Sequence, residues 1–226
     1  MPSKPMFTTR PLRPSDHHQT GPRLDENNSA MDVLDYRLSA ANLDPNAGPA
    51  TLLARSTGLT TFGQLVDHVC KLPYGRNSDR ADWMLVLPEQ QGTCSTKHAF
   101  LAAVGRENRL DVGLVLLVYV MDRENTPGIG SILLSSGLSS LPEAHCLLRT
   151  PCGLIDATHP PHPRVGPPGY PLHAEEIEPD GIDAHKVAVH KKILASWLVA
   201  NRVSMTLKEA WSVREACIAA LSTRGH

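Results

Sequence analysis

Residues 143–158 read EAHCLLRTPCGLIDAT. Two short runs with β-compatible apolar content, 143–149 and 154–158, flank Thr150-Pro151-Cys152-Gly153, where proline and glycine stand at positions that a tight turn favours. The stretch predicts a β-hairpin in which position 147 faces 156 and position 145 faces 158. In that register His145 and Asp156 lie diagonally on one face. Diagonal Cβ atoms of an antiparallel pair are about 7 Å apart, a gap that two polar side chains can bridge.

Upstream, residues 111–121 (DVGLVLLVYVM) are dominated by Val and Leu without polar alternation, which predicts a strand covered on both faces. Before it, the run from Thr93-Cys94 through KHAFLAAVGREN predicts a helix that opens after the loop Pro88–Gly92. An earlier helix is expected over Thr61–Lys71, where Thr61 and Gln64 have capping-box spacing and Phe62, Leu65, Val66, Val69 and Leu72 form a stripe. Met84–Leu87 reads as extended. Residues 122–141 form a long connection rich in Gly and Ser, expected to act as a lid bordering a cleft. Downstream, six prolines between 160 and 171 predict an extended wrapper over 159–180. Helices follow at His185–Asn201 and from Thr206, with Glu209 in capping-box position, to about Leu221.

The length of 226 residues implies one domain with additions. Residues 1–30 hold five prolines and little apolar spacing, so this segment is read as a disordered tail and 31–226 as a single domain with a core over about 61–158. Charges nearly cancel, 22 Lys+Arg against 23 Asp+Glu, so no global field points to nucleic acid or to an acidic membrane. The longest apolar run, Leu114–Met121, is less than half of the ~20 residues that a spanning helix needs. With no apolar leader and five scattered cysteines, the expectation is a cytoplasmic protein with reduced thiols.

A thiol becomes nucleophilic as thiolate, and a helix N-terminus lowers its pKa. Cys94 has that placement, whereas Cys70 and Cys217 sit late in helices on apolar stripes and read as structural. A nucleophilic cysteine needs an imidazole in reach and an acceptor that orients it, which His145 and Asp156 can supply. Oxyanion donors are expected from the Cys94 backbone N–H and from the side chain of Gln91 or Gln90. A rival reading is zinc held by Cys146, Cys152, His159 and His162. Its spacing is poor: there is no CxxC, and the two histidines lie in the proline-rich stretch.

The order GTC(94)STKHAFL, a buried strand, EAH(145)CLL and LID(156)AT resembles the transglutaminase-like superfamily, whose members share the papain-like thiol-enzyme fold. The resemblance covers roughly 61–158, and the C-terminal helices resemble a bacterial branch of transglutaminase-like proteins. It implies an α+β fold with a nucleophile helix packed on an antiparallel sheet, with Cys94 as nucleophile, His145 as base and acid, and Asp156 as orienting carboxylate. The implied activity is acyl transfer through a Cys94 thioester, from a peptide or glutamine-type amide to water or an amine, with no metal or organic cofactor. Cys146-Leu147 stands where many members have Ala-Trp, Asp156-Ala157-Thr158 stands for Asp-Pro-Thr, and the arginine that often opens the following strand has no counterpart. Substrate choice is therefore not carried over. The alternative expectation is a catalytically silent scaffold of the same fold that binds a partner.

Overall fold

A computed structural model of the chain describes residues 34–159, 164–165, 169 and 171–222. The tail expected over 1–30, His162 and much of the proline-rich stretch lie outside the described residues.

The N-terminal part is helical: α1 (Tyr36–Ser39), α2 (Pro49–Ser56), α3 (Phe62–Lys71) and α4 (Cys94–Glu107). A five-stranded antiparallel sheet follows, built from β1 (Gly113–Asp122), β2 (Ser140–Thr150), β3 (Gly153–Asp156), β4 (Arg164–Val165) and β5 (Pro171–Ile177) in the order β4-β3-β2-β1-β5. The helix α5 (Gly130–Ser135) interrupts the path from β1 to β2, and α6 (Ala184–Ala200) and α7 (Leu207–Ser222) end the described chain. The class is α+β.

Local chemistry accounts for the element ends. Thr61 accepts the Gln64 N–H at 3.3 Å while Gln64 accepts the Thr61 N–H at 3.2 Å, the expected capping box at the start of α3. Thr206 and Glu209 do the same for α7. Leu148 pairs with Ile155 and Thr150 with Gly153, so only Pro151 and Cys152 form the hairpin loop. Gly153 has φ +120°, a conformation that a side chain would strain.

Two expectations are corrected. Met84–Leu87 is not extended: Trp83–Val86 forms a 3-10 turn, because the Asp82 carboxylate accepts the Met84 N–H at 2.9 Å and folds the chain back. The proline-rich wrapper does not continue to residue 180. Pro171–Ile177 is the edge strand β5, paired with β1. Pro171 begins it, where a missing N–H removes no interior ladder bond, and the alternating LHAEEI that follows suits an edge.

The central strand β1 is buried along Gly113–Tyr119, with apolar clusters against both of its faces. Leu114, Cys146 and Leu148 pack with Phe62, Phe100 and Leu101, while Leu117, Tyr119 and Leu147 join Ile129, Leu133, Leu194 and Cys217. This split follows from the two-residue period of strands. α4 is buried almost all round because it lies between α2, α3 and the sheet. A Cβ on Gly105 would come within 1.9 Å of Val112 Cγ2, so this glycine allows the close passage from α4 into β1.

Candidate active site

Cys94 is the first residue of α4, His145 lies on β2, and Asp156 ends β3. His145 Nε2 and Asp156 Oδ2 are 2.9 Å apart, so the diagonal of the hairpin is closed as the register predicts. The imidazole is also a neighbour of the Cys94 sulfur, and each acts on the other's protonation. Asp156 Oδ1 accepts the Thr158 N–H at 2.9 Å and also the Thr158 hydroxyl. The Tyr119 and His145 rings stand nearly perpendicular, at 86°, with a centroid separation of 6.3 Å. Carboxylate, ring and thiol follow one another as a chain of neighbouring groups.

The charges in this chain reinforce each other. Burial alone would raise the Cys94 thiol, but the Lys186 ammonium, His145 and the donated N–H of Cys146 outweigh it and bring the thiol down to about 6. Burial disfavours a charged His145, yet Asp156 and Cys94 hold its pKa well above the ordinary value. Asp156 is pushed far below the usual carboxylate range, because His145 and Thr158 overcome its burial. A thiolate–imidazolium pair with an ionised carboxylate is the favoured state near neutral pH.

Two further residues of α4 fasten the thiol helix to the end of β3. Lys97, fully buried, donates to the carbonyls of Leu72 at 2.6 Å and Thr158 at 2.7 Å. His98, also fully buried, bonds Cys94 O through Nδ1 at 2.8 Å and accepts the Ala157 N–H through Nε2 at 2.8 Å. That tautomer is neutral, and burial brings its pKa down to about 4. The two residues that follow Asp156 are thereby tied to the first turns of α4, the helix that carries Cys94.

Cys94 opens onto a cleft of about 80 Å³, lined also by Tyr74, Ser95, Lys186, Trp211, Arg214 and Ile218. The segment 122–141 does not border it. That stretch lines a separate cavity of about 570 Å³, because Ile129 and Leu133 are buried among Leu117, Tyr119 and Leu141 and anchor α5 in the core. The cleft is covered by α6 and α7 instead. Glu143 and Arg214 form its buried ion pair, with Arg214 Nε donating at 2.7 Å. Comparison of the chain with protein-family models, curated proteins and solved structures found no match.

Gln91 is not among the residues that line the cleft; its Nε2 donates to Arg76 O at 2.9 Å. Gln90 Nε2 is likewise engaged with Leu87 O, at 2.6 Å. Neither amide is aimed at the sulfur, because both hold the loop before α4. Of the residues considered for zinc, Cys146 is fully buried and Cys152 is exposed on the hairpin loop, while His159 stacks near Tyr74. Among the described residues, no group of three or more His, Cys, Asp or Glu could hold a metal ion, and no helix is long and apolar enough to cross a membrane.

Sequence reasoning missed Lys186, whose Nζ lies 3.7 Å from Cys94 Sγ and 2.6 Å from Ser95 Oγ. A signal was present. Lys186, His190, Leu194 and Leu198 recur every four residues and are the buried stripe of α6, so two ionisable groups lie on a face that the helical period turns inward.

Proposed function

We propose that this chain is a cysteine-dependent acyl-transfer enzyme with a transglutaminase-like, papain-like core, acting on a peptide or glutamine-type amide. The observation that carries the reading is the 2.9 Å His145–Asp156 hydrogen bond beside Cys94, whose thiol stands at a helix N-terminus and is brought down to about 6 by Lys186 and His145 against its burial. The Cys94 thiolate attacks the amide carbonyl, and the leaving amine takes the proton of the His145 imidazolium. His145 then accepts a proton from water or from an amine that resolves the thioester. Asp156 keeps the ring oriented and favours its charged form. The free state of all five cysteines fits a reducing, cytoplasmic setting.

A second reading, a silent scaffold that binds a partner, is favoured by one observation. Cys94 is only 6% exposed, beneath the C-terminal helices. Incubation with p-nitrophenyl acetate decides between the two. The enzyme reading expects acetyl-Cys94 in the peptide map and a nitrophenol burst that is lost in Cys94→Ala. Absence of acylation at neutral pH, with the fold intact, supports the scaffold.

A further inference from the structure

Acyl transfer needs donors for the oxygen that gains charge when the thiolate adds to the carbonyl. The Cys94 N–H, at the start of α4, is one. The glutamines before it are engaged with backbone carbonyls, so the position of a second donor has to be filled by another group lining the cleft. The cleft also holds Arg76, Arg80 and Arg214, and each of these is already paired with a carboxylate: Glu215, Asp183 and Glu143. Lys186 differs. It is buried, its hydrogen bonds run to Ser95 Oγ and Cys94 Sγ, and among the described residues no carboxylate is hydrogen-bonded to it.

We propose that Lys186 is a fourth catalytic residue of the site: its ammonium faces the Cys94 thiolate and then carries the oxyanion of the adduct that forms there. The proposal rests on the acyl-transfer reading and goes beyond its three residues. When the Cys94 sulfur bonds to the carbonyl carbon, the C=O π pair moves onto oxygen. An oxygen on that carbon is within reach of a donor 3.7 Å from the sulfur. Lys186 gives up no proton in this step: it compensates the charge. Collapse of the adduct restores the C=O bond and expels the amine with the proton of His145. Lys186 keeps the charge this role demands, because the burial that would discharge it is outweighed by Cys146, Cys94 and Glu143, with Arg214 opposing them. Ser95 holds the ammonium in place, so the helix bearing the nucleophile also positions the cation supplied by α6.

Alkylation of Cys94 in the full chain tests this without knowledge of the substrate. Iodoacetate carries a negative charge past Lys186, and iodoacetamide does not. Rates for both, from pH 5 to pH 9, are measured by peptide mapping for the wild type, Lys186→Gln, which keeps a polar contact to Ser95, and Lys186→Arg, which keeps the charge. Lys186→Met repeats the neutral variant without that contact, and thermal melts report folding. The expected result is a roughly tenfold fall in the iodoacetate-to-iodoacetamide ratio in the neutral variants, with the thiol midpoint moved upward, and a ratio mostly restored in Lys186→Arg. Neutral variants that fold and keep the wild-type ratio and midpoint overturn the role of Lys186 and leave the acyl-transfer reading standing. An unreactive Cys94 in the folded wild type overturns that reading, and this inference with it.

Discussion

Cys94 and Cys217 are both buried thiols in helices, and their pKa values move in opposite directions. Cys217, with Cys70, is pushed up to about 11, whereas Cys94 is brought down to about 6. Burial acts the same way on all three. The difference lies in what stands beside each sulfur. Cys94 begins a helix and faces Lys186, His145 and a donated N–H. Cys217 lies late in α7 in an apolar cluster, where burial and then Glu143 raise it against Arg214. Cys70 also ends a helix, and its thiol donates to His159 O at 3.2 Å, which favours the protonated form. Helix position and charged neighbours, and not depth, separate the lowered thiol from the raised ones.

The largest test of this contrast exchanges the two environments' roles. Cys94→Ala is expected to abolish alkylation below pH 7 with little change in melting temperature. Cys217→Asp is expected to cost about 3 kcal/mol or more in urea unfolding, since an unpaired carboxylate would be buried. Loss of folding in Cys94→Ala, with labelling at another cysteine, would remove the contrast altogether.

Next in size is His145→Ala, which should slow iodoacetamide labelling at pH 6.5 by about tenfold and move the thiol midpoint upward. Asp156→Asn should do the same to a smaller degree, as the ring loses its ionised partner. In the wild type, the labelling rate should rise with a midpoint near pH 6, against the ordinary thiol value of about 8.5. A wild-type midpoint above pH 8 would mean that the neighbours of Cys94 do not act on it.

A pH effect on stability sharpens the comparison from the supporting side. His98 is held down to about 4, whereas the unfolded chain protonates it near 6.5. The unfolded state binds the extra proton between these values, so stability is lost as pH falls from about 6.5 to about 4. Asp156 has the depressed-carboxylate sign, and its contribution is lost only below the ordinary carboxylate pKa. Urea midpoints at pH 7 and pH 5 should therefore differ more for the wild type than for His98→Asn. The smallest effect is expected for Gln91→Ala. It should leave the labelling rate unchanged and cost about 1 kcal/mol, from the lost bond to Arg76 O.

Much of the site's backbone was legible because it is local. The register of the β2–β3 hairpin follows from a proline and glycine two residues apart, and that register sets His145 and Asp156 on one diagonal. The start of α4 follows from Thr93 after a glycine loop, and it fixes Cys94 at a helix N-terminus. β5 was hidden by the prolines before it, because composition over a window conceals a strand that begins where the proline run stops. The lid expectation over 122–141 failed for a similar reason: glycine and serine content suggested exposure, while Ile129 and Leu133 anchor the segment.

The sequence by itself determined the α+β class, the helix caps, and the three residues Cys94, His145 and Asp156 as members of one chain order. Turn chemistry and side-chain period act over a few residues, so a single sequence carries them. Only the tertiary structure decided that α6 and α7 roof the cleft, that Gln91 is engaged elsewhere, and that Lys186 stands over a thiol 92 residues away in sequence. A buried ammonium is stable only among groups that favour its charge, and those groups come from α4 and β2, which no local pattern brings to α6.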